Sequence, residues 1–297
     1  MTLKIFSSSD YPDTSGNYGD CFLLINNKTA TLYDCGSEEH AERVIECLND
    51  HGINKVTVIL SHNDGDHFNG IPHLIEKKKV DKLFTILLLK YKDELLEKLD
   101  DDRRNKESIG EAIKKLYDNI ASLSEKVELR DVYEDESELP SEIRLVGPEK
   151  EYMLDAAAKG LDGSEGDTID GETITNAASV QIQIEFGGGK VLLTGDCAVE
   201  AIPDGEKLST YSYIQLPHHG KADNAQEIFD RVGSNNDIFY LVSDNTGNSN
   251  GGSDDLSKKG HQIKNTKDIG DIEIDSNSSV SNINKKTTYI PGRTLGV

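Results

Sequence analysis

The sequence predicts an α/β fold, organised as a single domain over residues 1–297 that contains an insertion. Short apolar segments rich in β-branched residues alternate with segments of helical periodicity, a pattern typical of sheets covered by helices. A chain of 297 residues is long enough to bury one large core. Four apolar segments lead directly into loops with histidine or aspartate, and rigid α/β scaffolds present functional side chains at such strand ends.

The first half of the chain contains most of the predicted strands. A helix is expected from Glu38 to Asn49, with His40 an ordinary residue of its surface-facing side. Another helix should begin near Phe68, and we interpret His73 on it as a packing residue. The strands are expected at residues 3–6, 21–25, 29–33, 56–60 and 83–89.

A charged helical region, residues 91–126, separates these strands from the rest of the chain. Apolar residues recur on one face of two consecutive helices within it. Beyond it, residues 155–173 are rich in glycine, aspartate and small side chains and are interpreted as a mobile loop. Further strands are expected at residues 127–132, 143–146, 179–186, 190–194, 213–216 and 238–242, with edge strands around residues 272–274 and 289–290.

The chain is organised around residues 56–70. The apolar strand Val56 to Leu60 stops at Ser61, and His62, Asp64, Asp66 and His67 follow within the next six residues. If this loop is extended, alternating residues share one face, so His62, Asp64 and Asp66 converge while His67 points elsewhere. Imidazole and carboxylate together suit zinc, manganese or iron, and this density of ligands can serve two adjacent metals.

Three further loops follow strands in the same way. Asp34 and Gly36 end one strand, where the carboxylate can brace neighbouring loops or cap the next helix without touching a metal. Asp196 follows Gly195 after another, and the pair His218 and His219 stands between Pro217 and Gly220 after a third. Together, the four strand ends favour one metal centre over four unrelated turns.

The composition excludes several classes of function. The formal net charge of −22 argues against a long duplex footprint, because such binding depends on lysine and arginine neutralising phosphates. The four cysteines form no C-x-x-C pair and are expected to be reduced, packed thiols. The start of the chain has no signal-peptide pattern and no stretch is apolar enough to span a membrane, so we expect a cytoplasmic protein with no membrane partner.

These motifs resemble the metallo-β-lactamase fold superfamily, whose motif is His-x-His-x-Asp-His. The chain has His62-Asn-Asp64-Gly-Asp66-His67, with aspartate in place of the second histidine. Together with Gly19-Asp20, Leu193-Thr-Gly-Asp196 and Leu216-Pro-His-His-Gly220, this variant resembles the hydrolase domain of the DNA-uptake protein ComEC and its soluble relatives. The resemblance covers most of the chain and implies an αββα sandwich with the metals at one edge, in which residues 91–126 are a helical insertion.

The resemblance also implies roles for individual residues. Two divalent metal ions, zinc or manganese, are expected as cofactors. His62 and Asp64 would hold the first metal, Asp66 and His67 the second, and Asp196 would bridge them. His219 is favoured over His218 to complete the second site because it directly precedes Gly220.

The chain departs from the family pattern in two places. No histidine occurs between His73 and His218, so the usual third-motif histidine is absent and Asn176 stands in its region. The first metal is therefore expected to be the more weakly held. Lys221 follows the His-His-Gly motif where these relatives commonly have serine, and we consider it either a catalytic contact to substrate or an ordinary solvated lysine.

The resemblance implies hydrolysis by a metal-activated water, with Asp66 orienting the nucleophile as well as binding metal. The leading hypothesis is a phosphodiesterase or nuclease-like enzyme that acts on a small phosphorylated substrate or on short single-stranded nucleic acid. One alternative is a thioester or lactone hydrolase on the same fold. The other is a metal-stabilised interaction protein, whose protein partners the sequence does not identify.

Overall fold

Two mixed β-sheets face each other and carry helices on their outer sides. The computed structural model describes residues 1–7, 19–99, 105–162, 168–235, 237–244 and 252–276. The strands are β1 (Thr2–Ile5), β2 (Phe22–Asn26), β3 (Thr29–Tyr33), β4 (Val56–Ile59), β5 (Val80–Thr85), β6 (Glu128–Asp131), β7 (Ile143–Gly147), β8 (Thr168–Ile169), β9 (Glu172–Thr173), β10 (Gln181–Phe186), β11 (Gly189–Leu193), β12 (Tyr213–Gln215), β13 (Phe239–Val242), β14 (Gln262–Asn265) and β15 (Ile272–Asp275).

The helices lie between these strands and include the short turns that shape the candidate site. They are α1 (Glu38–Asp50), α2 (Gly65–Phe68), α3 (Ile71–Glu76), α4 (Lys92–Leu99), α5 (Lys106–Leu116), α6 (Asp118–Ala121), α7 (Lys150–Asp162), α8 (Ile174–Ala177), α9 (Pro217–Gly220), α10 (Ala222–Val232) and α11 (Thr266–Ile269). In the described part of the chain, no helix combines the length and the apolar character needed to cross a membrane.

Each large sheet is antiparallel on one side and parallel on the other. The first has the order β15-β1-β2-β3-β4-β5-β6, and its pairs from β3 to β6 are parallel. The second has the order β14-β13-β12-β11-β10-β7, and its pairs from β11 to β14 are parallel. Strands β8 and β9 form a separate small hairpin. Parallel neighbours end at the same edge of a sheet, which gathers the loops after β3, β4, β11 and β12.

The core is layered as an αββα sandwich. The inner faces of the two sheets meet through a buried cluster that includes Phe22, Tyr33 and Val191. A second cluster joins the outer face of the first sheet to α1 and α3, for example through Val44 and Leu74. A third cluster packs α10 on the outer face of the second sheet. The predicted fold class is confirmed.

The helical insertion is confirmed too, since α4, α5 and α6 lie between β5 and β6. Its apolar faces pack on α7 in a cluster of their own, which contains Leu95, Ile113, Met153 and Leu161. The cysteines are buried and free, as expected from a chain without paired Cys motifs: Cys21, Cys35, Cys47 and Cys197.

Three predictions about elements were wrong. The strand expected at residues 83–89 ends at Thr85, and Leu88–Tyr91 form a 3₁₀ turn. Residues 155–162 of the region interpreted as a loop at residues 155–173 form the second half of α7, where Ala157, Ala158 and Leu161 pack against the insertion. His40 is fully buried rather than exposed. The edge strand expected near 272–274 is confirmed as β15, whereas residues 289–290 lie outside the described residues.

Candidate metal centre

Four loops meet at one edge of the sandwich, each directly after the carboxyl end of a strand. Asp34 follows β3, the loop from Ser61 follows β4, Asp196 follows β11, and α9 with His218 and His219 follows β12. The interpretation of residues 62–67 as extended was wrong, because α2 begins at Gly65. That helical turn brings the His67 ring to 4.1 Å from the His62 ring, measured between centroids.

Two glycines permit this close approach of loops. Gly19 has a φ of +34°, and a Cβ on it would lie 1.5 Å from the backbone oxygen of Asp66. Gly195 has a φ of +56°, and its Cβ would lie 2.8 Å from that of Ser61. Larger residues would therefore separate the aspartates that follow these glycines from the β4 loop.

All six predicted metal ligands lie in one cluster. Nε2 of His62 is 3.8 Å from Asp64 Oδ2, and Nε2 of His67 is 3.3 Å from Asp196 Oδ1. Nε2 of His219 lies 3.2 Å from Asp66 Oδ2 and 3.6 Å from Asp196 Oδ2. Among the described residues, three sets have ligand atoms within 4.8 Å of one another: His62, His67 and Asp196; Asp66, His67 and His219; and Asp20, Asp34 and His67. Asp64 belongs to none of these sets and approaches the cluster only through His62.

Among the described residues, Nε2 of His62 is buried and has no hydrogen-bond partner. Nε2 of His67 and Oδ1 of Asp196 are also buried, and although they are 3.3 Å apart they form no well-aligned hydrogen bond. Leaving buried polar atoms unpaired costs about 1–3 kcal/mol each, so an additional binding partner is expected at this point. Two imidazole nitrogens and a carboxylate oxygen are a donor set that zinc accepts. The residues present therefore fit a divalent metal.

The outer hydrogen bonds of the histidines leave Nε2 available in each ring. Nδ1 of His67 donates to Asp34 Oδ2 at 2.8 Å, and Nδ1 of His219 donates to the Ser243 carbonyl at 2.9 Å. The Ser61 hydroxyl donates to Asp34, so it accepts from Nδ1 of His62 at 2.9 Å. When these rings are neutral, the proton on Nδ1 leaves the lone pair of Nε2 free, as in metal-binding histidines. Despite burial, the neighbouring carboxylates favour a second proton on His67 and His219, which a bound metal would displace.

Asp34 braces the site in the way the sequence predicts. Its carboxylate accepts from the Ser61 amide at 2.7 Å, from the Ser61 hydroxyl at 2.6 Å and from His67. Burial, opposed by the neighbouring His67, raises the pKa of Asp34 to about 6. Asp34 thus orients ligands from the second layer of the site.

The charge balance of the cluster favours a cation. Burial lowers the pKa of His62 to about 3, which keeps this ring neutral. Burial also opposes the charged forms of His67 and His219, but Asp196 and other carboxylates raise the pKa of both rings well above the ordinary value. Despite its own burial, Asp196 has a pKa held well below the usual range by His219 and His67. The site therefore stabilises positive charge at its centre.

Sequence reasoning assigned no role to several residues around the ligands. Asp20 is fully buried, with Oδ1 3.5 Å from Nδ1 of His219 and Oδ2 bonded to the Gln215 amide. The Gly19-Asp20 motif was the available signal for Asp20. Glu172, on the hairpin strand β9, is 2.6 Å from Nδ1 of His218, and no local pattern identifies it.

Lys221 lies beside the cluster, but its charge is paired. Nζ donates to Glu172 Oε1 at 2.6 Å and to the Gly171 carbonyl at 3.2 Å. Nδ2 of Asn224 also donates to Glu172 Oε1, at 2.9 Å. The catalytic role of Lys221 stays a prediction.

Asn176 is engaged in hydrogen bonds at the start of its own helix. It lies buried on α8, and its side-chain oxygen accepts from the Thr173 hydroxyl at 2.8 Å. The Ser179 hydroxyl is 3.1 Å from Nδ1 of His62, so this segment contributes an outer contact. The geometry brings the predicted ligands together, but their roles in binding metal stay predictions: His62, Asp64, Asp66, His67, Asp196 and His219.

Comparisons with known proteins agree with the fold. The family model described as the metallo-beta-lactamase superfamily matches residues 14–238. The structure is similar to that of the metallo-beta-lactamase fold protein YhfI from Bacillus subtilis, with a TM-score of 0.50, 14% identity, and coverage of 92% of this chain and 100% of that one. Zn²⁺-bound PqqB from Methylobacterium extorquens gives a TM-score of 0.50 and 13% identity, covering 93% and 100%. The search of curated protein sequences finds no match.

Proposed function

The chain belongs to the metallo-beta-lactamase superfamily, whose members are mostly metal-dependent hydrolases, and from this premise we propose that it hydrolyses phosphodiester bonds in short or single-stranded nucleic acid or in nucleotides. The observation that carries the proposal is the set of unpartnered buried atoms on His62, His67 and Asp196. Aspartate at position 64, in the motif variant that resembles the ComEC hydrolase domain, supports a phosphodiester as substrate.

The residues divide into two metal-binding groups in this proposal. His62 and Asp64, 3.8 Å apart, would hold one ion, and Asp66, His67 and His219 would hold the other. Asp196 is near both His67 and His219 and could serve either ion. When bound, zinc or manganese ions lower the pKa of water toward neutrality and stabilise charge on phosphoryl oxygens.

The protein's own contribution is to orient the attacking water through the Asp66 carboxylate. Burial opposes ionisation of Asp66, but the hydrogen bond to His219 and the charge of His67 bring its pKa to about 2, so the carboxylate is available to accept a hydrogen bond from the attacking water. Attack places the water oxygen on phosphorus and breaks one P–O ester bond. A proton passes to the departing alkoxide, and the products are a phosphomonoester and an alcohol.

Asp66→Ala is the first test. The purified parent protein should contain one to two transition-metal ions per chain, and the variant should lose metal and phosphodiesterase activity together, with activity falling at least about a hundredfold. Asp81→Ala, which removes an exposed aspartate on β5, is the control and should change neither. Elemental analysis that finds no metal in active protein would contradict the mechanism.

A substrate panel tests the reaction class. Bis-p-nitrophenyl phosphate, single-stranded DNA and cyclic dinucleotides represent the proposed substrates, and acyl thioesters represent the alternative hydrolase. Turnover of phosphodiesters that depends on added zinc or manganese supports the proposal. Metal-dependent turnover of thioesters alone would replace it.

A further inference from the structure

A second feature of the same sheet edge is an apolar cavity beside the metal centre. Its volume is about 400 Å³, within the range of small-molecule pockets. One wall is the chain after β5, from Ile86 to Lys90. The other is the helical insertion, through Ile113, Tyr117 and Ala121.

Side chains that line the cavity also line a small recess at the β4 loop. The recess has a volume of about 20 Å³ and contains His62 and Asn63, and four residues line both spaces: Ile86, Leu88, Tyr117 and Ile120. The strands that precede the two regions, β4 and β5, are parallel neighbours, so His62 and Ile86 follow strand ends at the same edge.

Two hydrogen bonds fix the insertion to the ligand loop. Nδ2 of Asn119 donates to the Asn63 carbonyl at 3.0 Å, and Nδ2 of Asn63 donates to Asn119 Oδ1 at 3.1 Å. Asn63 lies between the predicted ligands His62 and Asp64. The position of the cavity relative to the metal centre is therefore set by direct contact.

Two lysines lie at the rim of the cavity. Lys90 is paired with two carboxylates, Glu134 at 2.7 Å and Asp135 at 3.4 Å, so its charge is compensated. Lys114 also lines the cavity, is exposed, and makes no ion pair or hydrogen bond within the described residues. An apolar cavity with an unpaired ammonium at its mouth is complementary to a molecule with an apolar body and an anionic group.

We propose that this cavity is the selectivity pocket of the hydrolase and takes an apolar, ring-bearing substituent of a small anionic phosphodiester. The inference rests on the proposed function and narrows it from nucleic acids in general to compact esters with an aromatic group. The scissile group lies at the ligand cluster, while the ring occupies the space between α5, α6 and residues 86–90.

The binding test uses 1-anilinonaphthalene-8-sulfonate, an anionic aromatic probe that needs no turnover. The whole chain should bind one probe molecule saturably. Ala121→Phe fills the cavity and should weaken probe binding at least tenfold. Ser122→Phe adds the same side chain at the next, exposed position, which does not line the cavity, and should leave binding within twofold of the parent.

The charge test uses two neighbouring lysines of α5. Lys114→Glu should weaken probe binding about tenfold. Lys115→Glu makes the same change of net charge at an exposed residue that does not line the cavity, and should weaken binding less than threefold. Thermal unfolding monitored by circular dichroism confirms that all four variants are folded. Equal effects within each pair would overturn the pocket.

The kinetic test compares bis-p-nitrophenyl phosphate with methyl p-nitrophenyl phosphate, which lacks one ring. The parent should prefer the first in kcat/KM at least tenfold, Ser122→Phe should keep this preference, and Ala121→Phe should lose it. Turnover with the same preference in both variants refutes the pocket but leaves the proposed function intact. Probe binding that depends on Ala121, without turnover of any phosphodiester, refutes the proposed function and leaves the pocket.

Discussion

At the scale of single residues, Glu172 adds a buried negative charge next to the predicted ligands. It is buried on the short hairpin strand β9 and accepts from His218, Lys221 and Asn224. Burial raises its pKa, but the His218 and Lys221 contacts outweigh this and hold the pKa below the ordinary value. Glu172 is therefore ionised, and Lys221 supplies part of the compensating charge.

Lys221→Ala should raise KM for phosphodiesters about threefold to tenfold while changing KM for a neutral ester much less. The substitution leaves the buried Glu172 carboxylate less compensated, so the potential near the ligand cluster becomes more negative and repels an anionic substrate. Steady-state kinetics on bis-p-nitrophenyl phosphate and p-nitrophenyl acetate measure both values. Equal increases for the two esters would indicate a structural defect instead.

His40, a buried residue of α1, makes the stability of the protein depend on pH. The helical pattern of α1 alone did not distinguish its buried face from its exposed face at this position. Burial, followed by repulsion from Arg43, lowers the pKa of His40 to about 4 from 6.5. Because the folded state binds this proton more weakly than the unfolded chain, the stability contributed by the neutral ring is complete above pH 6.5 and is lost as the pH falls toward 4.

His40→Leu should flatten that pH dependence. Between pH 7.5 and pH 5, the metal-free parent should lose roughly 2 kcal/mol more of its free energy of unfolding than the metal-free variant, since each pH unit in this range corresponds to about 1.4 kcal/mol. Urea unfolding at several pH values measures the difference. Parallel stability curves for the two proteins would show that folding does not change the pKa of His40.

At the scale of elements, the helical insertion contacts the loop that carries the predicted metal ligands. Helix α5 begins with a capping box between Asn105 and Ser108, and α6 presents Asn119 to the backbone of Asn63. The first contact stabilises a helix end, whereas the second also holds a ligand-bearing loop. Substituting Asn105 should therefore change only the stability of the protein, whereas substituting Asn119 should change both its stability and its metal binding.

Asn119→Ala should lower the free energy of unfolding by about 1–2 kcal/mol and speed metal release to a chelator about tenfold. Asn105→Ala should lower stability by about 1 kcal/mol through the lost cap, without changing metal release. Competition with a chromophoric chelator measures the release rates. The same rate in both variants would show that Asn119 does not position the β4 loop.

The elements that sequence patterns predicted well are those whose own residues decide their structure. The apolar runs of β3, β4 and β10 appear within two residues of the expected bounds, because a strand buried in a sheet needs an apolar or alternating pattern. The second half of α7 was missed because the glycine and aspartate residues in and after it are typical of a loop, although its alanines favour a helix. Packing against the insertion stabilises this part of the helix. Strand β14 was also missed: it is short, polar and paired with β13.

In the candidate site too, sequence patterns identified some residues and missed others. The loop His62 to His67 and the motifs at Asp196 and His219 were visible because each holds its reactive residues close together in sequence. Asp20 and Glu172 act on His219 and His218 across separations of about two hundred and about fifty residues, so only the folded chain brings them to the site. The unpaired Nε2 atoms, which give the strongest support for a metal, likewise depend on hydrogen bonds made by distant residues such as Asp34.

At the scale of the whole molecule, the net charge of −22 sets which anions can reach the site. Nucleases with basic grooves gain affinity by releasing counterions from the phosphate backbone, and they lose it steeply as salt is added. The acidic surface of this chain repels a polyanion at long range, and salt screens that repulsion. Attraction must then be local, at the metal centre and at the unpaired Lys114.

Short phosphodiesters should therefore be hydrolysed with a higher kcat/KM than long duplex DNA, and raising the salt concentration from about 50 to 200 mM should reduce kcat/KM for a short oligonucleotide less than threefold. A protein that neutralises six to ten phosphates loses about a thousandfold or more in affinity over the same range. Because screening weakens the repulsion from the protein's net charge, the residual loss from the local contacts is partly offset, and the salt slope should be shallow. The measurement is kcat/KM against salt for a trinucleotide and for duplex DNA. Tight duplex binding with a steep inverse salt slope would require a basic groove, and would refute this account of the charge.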